Sequence, residues 1–329
     1  MTAKLSLTIA CGPYDRMEAI RTGEVQIEGI DAVYVPIQSP PEIFARMMKT
    51  RAFDVSEMSL STYLSGRTRG DFPFVALPVF PSRMFRHGSI FVNTNAGIKS
   101  PQDLQGRRVG TFGYRQTACV WIRGLLKDEY GIDAASLRWV EGGLDTPWQG
   151  DSGKDAHAIP GVRIERAQEA ASLSDMLAAG EIDALIGARR PASLGRSPAV
   201  ALLLPDYRRI ERDYYLRTGV FPIMHTMVIR EELYRAKPWI GVSLHKAFVA
   251  SKEIALREMR FSGAMRYMVP WLYDEIDEID ELFGGDAWPY GLERNRRTLE
   301  AFARHLLEQG LVSGRIDIDD MFVPIVGER

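Results

Sequence analysis

Gly97-Ile98-Lys99-Ser100-Pro101-Gln102-Asp103-Leu104-Gln105-Gly106-Arg107-Arg108-Val109-Gly110 is the stretch from which the fold can be read. Ser100 can cap, Pro101 suits a first turn, and Asp103 stands three positions on, so a helical turn opens here. A strand over 107–111 follows. A helix over 116–130 comes next, with Gly131 as its stop. Then come a strand over 137–141, a helix over 173–179 and a strand over 184–187.

The same alternation precedes this stretch. Strands are predicted over 5–10, 32–37, 53–58 and 74–80, with helices over 14–22 and 60–66. Ser39-Pro40-Pro41-Glu42 opens another helix with the same capping logic. This βαβ rhythm predicts mainly parallel sheets with helices on both faces. From about residue 216 the chain reads as mostly helical. Residues 244–259 and 298–308 carry apolar positions at three- and four-residue steps. Glu300 and Arg304 are spaced as an i,i+4 pair. The acidic run over 274–281 reads as a solvated helix face with isoleucines turned inward.

A length of 329 residues suggests two domains. With 41 basic and 43 acidic residues the net charge is −2, which argues against a nucleic-acid partner. Cys11 and Cys119 form no Cys-x-x-Cys pair, and nothing requires a disulfide. No apolar run reaches the length of a membrane span, so no membrane partner is expected. Leu5, Leu7 and Ile9 alternate with polar residues, which reads as a first strand and not as a leader; a cytoplasmic protein is expected. A homo-oligomer is left open.

Ser82-Arg83-Met84-Phe85-Arg86-His87-Gly88 places two arginines and a histidine between two apolar runs. Cations at a strand end suit an anion; they equally suit a solvated loop. The arginines that follow predicted strands are Arg16, Arg83, Arg86, Arg115, Arg189 and Arg190, where open α/β sheets place ligands. Gly113-Tyr114-Arg115-Gln116-Thr117 begins a helix whose free N–H groups suit an anion, or are simply capped. Ser59, with Ser61, ends the third strand and can contribute a hydroxyl or a cap. Of five histidines, His245 and His305 lie on amphipathic helices and read as structural. His157 falls in the polar loop over 142–161. His87 and His225 stand at strand or hinge segments, where a role in chemistry and a packed role are both open. No His-x-His or His-x-x-x-His pair points to a metal.

The 97–110 segment and Gly180-Glu181-Ile182-Asp183-Ala184-Leu185-Ile186 resemble the second domain of type II periplasmic-binding-protein folds. Three further motifs resemble the 4,5-dihydroxyphthalate decarboxylase family, which carries that fold as an enzyme. They are Phe85-Arg86-His87-Gly88-Ser89-Ile90-Phe91-Val92-Asn93, Gly219-Val220-Phe221-Pro222-Ile223-Met224-His225-Thr226-Met227-Val228-Ile229-Arg230 and Trp288-Pro289-Tyr290-Gly291-Leu292-Glu293-Arg294-Asn295. The resemblance implies two α/β domains with a ligand cleft between them. The first is discontinuous, over 1–92 and 218–329 with a helical C-terminal part; the second is inserted over 93–217.

It also implies decarboxylation of a hydroxylated aromatic acid, 4,5-dihydroxyphthalate to protocatechuate, with no cofactor and no metal. Each hydroxyl of that substrate lies para to a carboxylate-bearing carbon. Ionising it pushes electron density to that carbon, which takes a proton, and loss of carbon dioxide restores aromaticity. A general acid and carboxylate-binding cations are needed. His225 is the first candidate acid and His87 the second. Arg83, Arg86, Arg16, Ser59, Arg115, Gln116, Thr117 and Arg189 are the expected substrate-binding residues. Two other readings share the fold: a solute-binding protein delivering an aromatic carboxylate to an ABC or tripartite transporter, and an enzyme of the chorismate-dehydratase or dihydroxynaphthoate-synthase type. Thiamine-precursor synthases of this fold carry a cysteine-rich motif, which two isolated cysteines do not supply.

Overall fold

A computed structural model describes residues 3–148, 159–168, 170–261 and 263–325. The chain begins β1 (Leu5–Cys11), α1 (Asp15–Arg21), β2 (Ile30–Pro36), α2 (Pro40–Thr50), β3 (Val55–Ser59), α3 (Leu60–Arg67) and β4 (Phe74–Arg83). It continues β5 (Ile90–Asn93), β6 (Arg108–Thr111), α4 (Thr117–Tyr130), β7 (Arg138–Glu141), β8 (Ile164–Arg166), α5 (Leu173–Ala179), β9 (Ala184–Ile186), β10 (Val200–Leu202) and α6 (Tyr207–Thr218). It ends β11 (Ile223–Arg230), α7 (Glu231–Ala236), α8 (Trp239–Arg260), α9 (Leu272–Phe283) and α10 (Arg296–Glu308).

Two compact units result. The first comprises Met1–Arg83, Ile223–Glu300 and Ile316–Arg329; the second comprises Met84–Pro222 and Ala301–Arg315. The sequence reading set its crossings at 92/93 and 217/218.

The first unit's sheet has the order β2-β1-β3-β11-β4. β1 runs parallel to β2 and β3, but β11 runs antiparallel to both β3 and β4. The second unit's sheet has the order β10-β5-β9-β6-β7-β8, with β5 antiparallel to β9 and β10 and the others parallel. The sheets are mainly parallel as expected, each with one strand in the opposite sense, β11 in the first and β5 in the second. A parallel neighbour requires a crossover, whereas β11 comes back from a distant part of the sequence and is free to enter in the opposite sense. Its Met227, Val228 and Ile229 are fully buried, as a central strand demands. In the first unit Ile9, Val55, Leu77, Met227 and Phe248 share one core. In the second, Phe91, Val140, Leu177 and Leu185 share another.

β4 runs three residues past the expected end. Its register against β11 is irregular: His225 faces Ser82, whereas Met227 faces Leu77. Pro78 and Pro81 fall in the looped-out stretch, and proline cannot donate to a ladder. The carbonyls freed there find other donors: the Gly291 N–H at 2.8 Å for Pro78, and the Arg16 guanidinium for Pro81. Such bulges re-aim side chains, and this one lies beside His225.

Most expected helix starts are met, but α8 begins five residues before the expected 244 and α6 was not expected. Asp103 accepts from the Ser100 and Lys99 N–H groups at 2.8 and 2.9 Å, closing the expected turn. α4 stops at Gly131, in the left-handed region at φ 70°. Ser39 precedes α2, but its side chain makes no capping bond. The Glu300–Arg304 pair is replaced. Arg304 bonds Asp128 at 2.6 Å and Glu308 at 3.2 Å, because a partner on α4 faces it. Cys11 and Cys119 are buried free thiols.

Candidate active site

Glu57 stands in the middle of β3 and is fully buried. A carboxylate so placed must be satisfied or it would unfold the strand. Four donors surround it. His225 Nδ1 lies 2.5 Å from Oε1, and the Tyr14 hydroxyl donates to the same oxygen at 2.8 Å. The Gly12 N–H donates to Oε2 at 3.0 Å, and the Cys11 thiol reaches it at 3.5 Å. Burial pushes the Glu57 carboxyl up, but His225 and the bonds from His225, Gly12 and Tyr14 together hold it below the usual carboxylate range. An ionised carboxylate only accepts. Nδ1 of His225 is therefore the protonated nitrogen of that pair, and Nε2 is left for other chemistry.

Each element contributes through its position. Gly12 and Tyr14 follow the C-terminal end of β1, Glu57 comes from β3, and β11 sets His225 opposite Ser59. Phe44 of α2 meets the imidazole edge-on at 5.0 Å. The Tyr34 hydroxyl holds the Gly12 carbonyl at 3.1 Å. Burial, followed by the charge of Glu57, raises the Tyr14 phenol and the Cys11 thiol far above their ordinary values, so both stay protonated donors. The imidazole keeps 18% of its side-chain surface exposed while Glu57 keeps none. An enclosed carboxylate thus orients a ring whose other edge can meet a ligand.

Arg16 and Arg83 also lie on the first unit. The Arg16 guanidinium sits over the Tyr14 ring at 4.2 Å and over Trp288 at 5.1 Å. It bonds the Pro81 carbonyl and, at 2.9 Å, Asp15. Arg83 is 5% exposed and bonds the Asn295 side chain and, at 3.0 Å, the Pro289 carbonyl. Asn295 in turn donates to the carbonyls of Pro289 and Gly291 at 2.9 and 2.7 Å. The motif over 288–295 is thus folded around the Arg83 guanidinium. Ser59 caps α3, accepting from the Thr62 N–H at 3.4 Å, as well as facing His225.

The remaining predicted residues lie on the second unit. Arg86 is 4% exposed, with Nη1 donating to the Ala188 carbonyl at 3.1 Å, and burial draws its pKa down to about 10. His87 is 1% exposed. Its ring meets Tyr214 edge-on at 5.2 Å and its Nδ1 lies 3.7 Å from Glu211. Neither ring nitrogen has a hydrogen-bond partner among the described residues. Gln116 is the N-cap of α4, with Thr117 buried at its first turn and Arg115 half-buried before it. Arg189 is exposed and lies 5.5 Å from the Phe112 ring. His245 and His305 are buried, at 5% and 2% exposure. His157 lies outside the described residues. Asp128, His305 and Glu308 bring ligand-type atoms within 4.8 Å of one another. Arg304 already pairs both carboxylates, which satisfies them without a cation.

Relatives carry a consistent name. The chain is 40% identical over 98% of its length to a 4,5-dihydroxyphthalate decarboxylase from Comamonas testosteroni, covering 97% of that protein. The chain belongs to the 4,5-dihydroxyphthalate decarboxylase family. A relative of the same name from Pseudomonas putida is 41% identical over 64% of this chain and 82% of its own length. A family model described as NMT1/THI5 like matches residues 85–149. Among solved structures, the periplasmic aliphatic sulphonate binding protein of Escherichia coli superposes with a TM-score of 0.54 at 12% identity, covering 97% of each chain. The alkanesulfonate-binding protein of Xanthomonas axonopodis pv. citri gives 0.50 at 9% identity, over 98% of this chain and 99% of its own. The fold of this 4,5-dihydroxyphthalate decarboxylase family member is thus periplasmic-binding-protein-like.

Sequence reasoning missed Glu57, Tyr14 and Cys11 in this family member. The signal for Glu57 was present: an acidic residue inside the apolar strand Val55-Ser56-Glu57-Met58, where an unpaired charge is not tolerated.

Proposed function

We propose that this protein decarboxylates a hydroxylated aromatic acid, 4,5-dihydroxyphthalate, to protocatechuate, with His225 as the proton donor. One observation carries the reading: a fully buried, ionised Glu57 bonded to the Nδ1 of a partly exposed His225. A site that only captures an anion has no use for a carboxylate that fixes the tautomer of a histidine. The same arrangement serves general acid catalysis, where the acid must be held in one orientation. The names of the relatives supply the substrate. The fold by itself does not, since it hosts solute binding as well.

In this mechanism the substrate hydroxyl para to the departing carboxylate loses its proton, and its electrons flow into the ring. His225 enters this step with both ring nitrogens protonated. Its Nε2 proton passes to the carbon bearing that carboxylate, which leaves the ring neutral with Nδ1–H still on Glu57, and Nε2 is reprotonated from solvent before the next turnover. The bond from that carbon to the carboxylate then breaks, its electron pair returns to the ring, and carbon dioxide leaves. The resulting phenolate takes up a proton. Throughout, Nδ1–H stays with Glu57, and Tyr14, Gly12 and Cys11 keep Glu57 in place. Arg16 beside Tyr14, and Arg86, Arg115, Gln116, Thr117 and Arg189 on the second unit, are the proposed substrate-binding residues. An enzyme acting on this diacid fits a cytoplasmic location, which cell fractionation tests.

The direct test is to incubate purified protein with 4,5-dihydroxyphthalate and follow protocatechuate and carbon dioxide. Stoichiometric formation of both is expected. Tight binding with the diacid recovered unchanged would overturn the reading in favour of solute capture.

A further inference from the structure

The second unit encloses a cavity of about 280 Å3 whose lining residues all belong to that unit. Arg123 of α4 forms part of its wall and is only 2% exposed. Its guanidinium lies on the Tyr114 ring at 3.6 Å. Nε donates to the Gln309 side-chain oxygen at 2.8 Å and Nη2 to the Tyr114 carbonyl at 2.7 Å. Both acceptors are neutral. Nη1 is buried and has no hydrogen-bond partner among the described residues, and the same holds for the Tyr114 hydroxyl. Burial raises the Tyr114 phenol's pKa, so that hydroxyl remains a donor.

The other charges of the wall are already matched. Lys127 lies 3.8 Å from Asp133, and Glu308 is bonded to Arg304 at 3.2 Å. Among the described residues no carboxylate lies within ion-pair distance of Arg123. A buried cation with no ion-pair partner is costly, and a carboxylate brought close to it relieves that cost. Pro160, Val162 and Leu307 make the rest of the wall apolar. This favours an anion with a hydrocarbon body over a bare inorganic one.

We infer that this cavity is a second binding site, for a small organic carboxylate whose charge is balanced by the Arg123 guanidinium in its wall. The site is separate from His225, which lies on the other unit. It sits on the same helix, α4, whose first turn carries Gln116 and Thr117.

Titration of the full chain with 4-fluorobenzoate, followed by fluorine NMR, tests this. Ala135 is exposed and lines the cavity, so Ala135→Trp blocks it without entering the core. The wild type should bind one equivalent more than Ala135→Trp, whereas Ala135→Ser should match the wild type. Folded Arg123→Gln should bind that equivalent at least about tenfold more weakly, because the wall loses its unpaired positive charge. Equal stoichiometry in the wild type and Ala135→Trp would overturn the proposal. So would displacement of that equivalent by inorganic phosphate at equal concentration, which would make the cavity a site for any anion.

Discussion

His225 Nδ1 lies 2.5 Å from Glu57 Oε1, across two antiparallel strands, although the two residues stand 168 positions apart in the sequence. The carboxylate is buried and the imidazole is not, so chemistry at the ring is governed by a group no ligand can touch.

His225→Gln should slow the reaction severely while sparing substrate binding. General acid catalysis contributes about 10²–10⁴-fold, so turnover should fall by that factor with binding affinity unchanged. Single-turnover decarboxylation beside a binding isotherm checks it; retained turnover would remove His225 from the mechanism.

Glu57→Gln and Tyr14→Phe should form a graded series. An amide at position 57 no longer fixes Nδ1 as the protonated nitrogen, and the analogous change in a catalytic triad lowers kcat by about 10⁴-fold. Tyr14→Phe removes one of four bonds to Glu57, and a hydrogen bond to a charged group contributes about 1.5–3 kcal/mol. Both variants should lower kcat more than they raise KM, and Glu57→Gln should also alter the pH–rate profile. A change confined to KM would show that Glu57 only shapes the pocket.

Arg83 should matter to stability first. Its guanidinium bonds Asn295 and the Pro289 carbonyl inside the first unit. Arg83→Met takes the donor from the Asn295 side-chain oxygen, at about 1–3 kcal/mol for a buried group left unsatisfied, while the Pro289 carbonyl keeps the Asn295 N–H. Urea unfolding of Arg83→Met, Asn295→Ala and the double variant should show strongly non-additive losses. Additive losses would mean that the two residues act apart.

Acid should weaken the fold before it titrates the carboxylates. His245 and His305 have pKa values drawn down to about 4, chiefly by burial. Unfolded, each titrates near 6.5. Between these values the unfolded state binds more protons, so stability is complete above pH 6.5 and declines as pH falls towards 4. At 1.36 kcal/mol per pKa unit the loss is on the order of 3 kcal/mol per histidine. Denaturation midpoints from pH 7.5 to 4.5 measure it, and His305→Gln should flatten the slope.

The parts of the molecule that were legible in the sequence are those fixed by local chemistry. Ser100, Pro101 and Asp103 form the turn that their side chains dictate, and Gly131 ends α4 because its backbone angle there disfavours a side chain. The sense of β11 was not legible, since nothing local tells a strand which neighbours it will find. The end of β4 was set three residues early for a related reason: two prolines mark the bulge, but only the partner strand shows that β4 continues past it. Glu57 was overlooked because a lone acid in a strand identifies itself only once its donors, 43 residues or more away in the chain, are in place.

The insertion of β11 between β3 and β4 has a consequence for biosynthesis. Until Ile223–Arg230 leaves the ribosome, β3 and β4 are two open edges with nothing to pair them, and the whole second sheet is translated in the interval. Open edges of apolar strands invite association with other chains. The nascent protein therefore carries its greatest aggregation risk in mid-synthesis, and the strand that removes the risk is the one that delivers the histidine. The pairing of the open edges and the placing of the histidine arrive together.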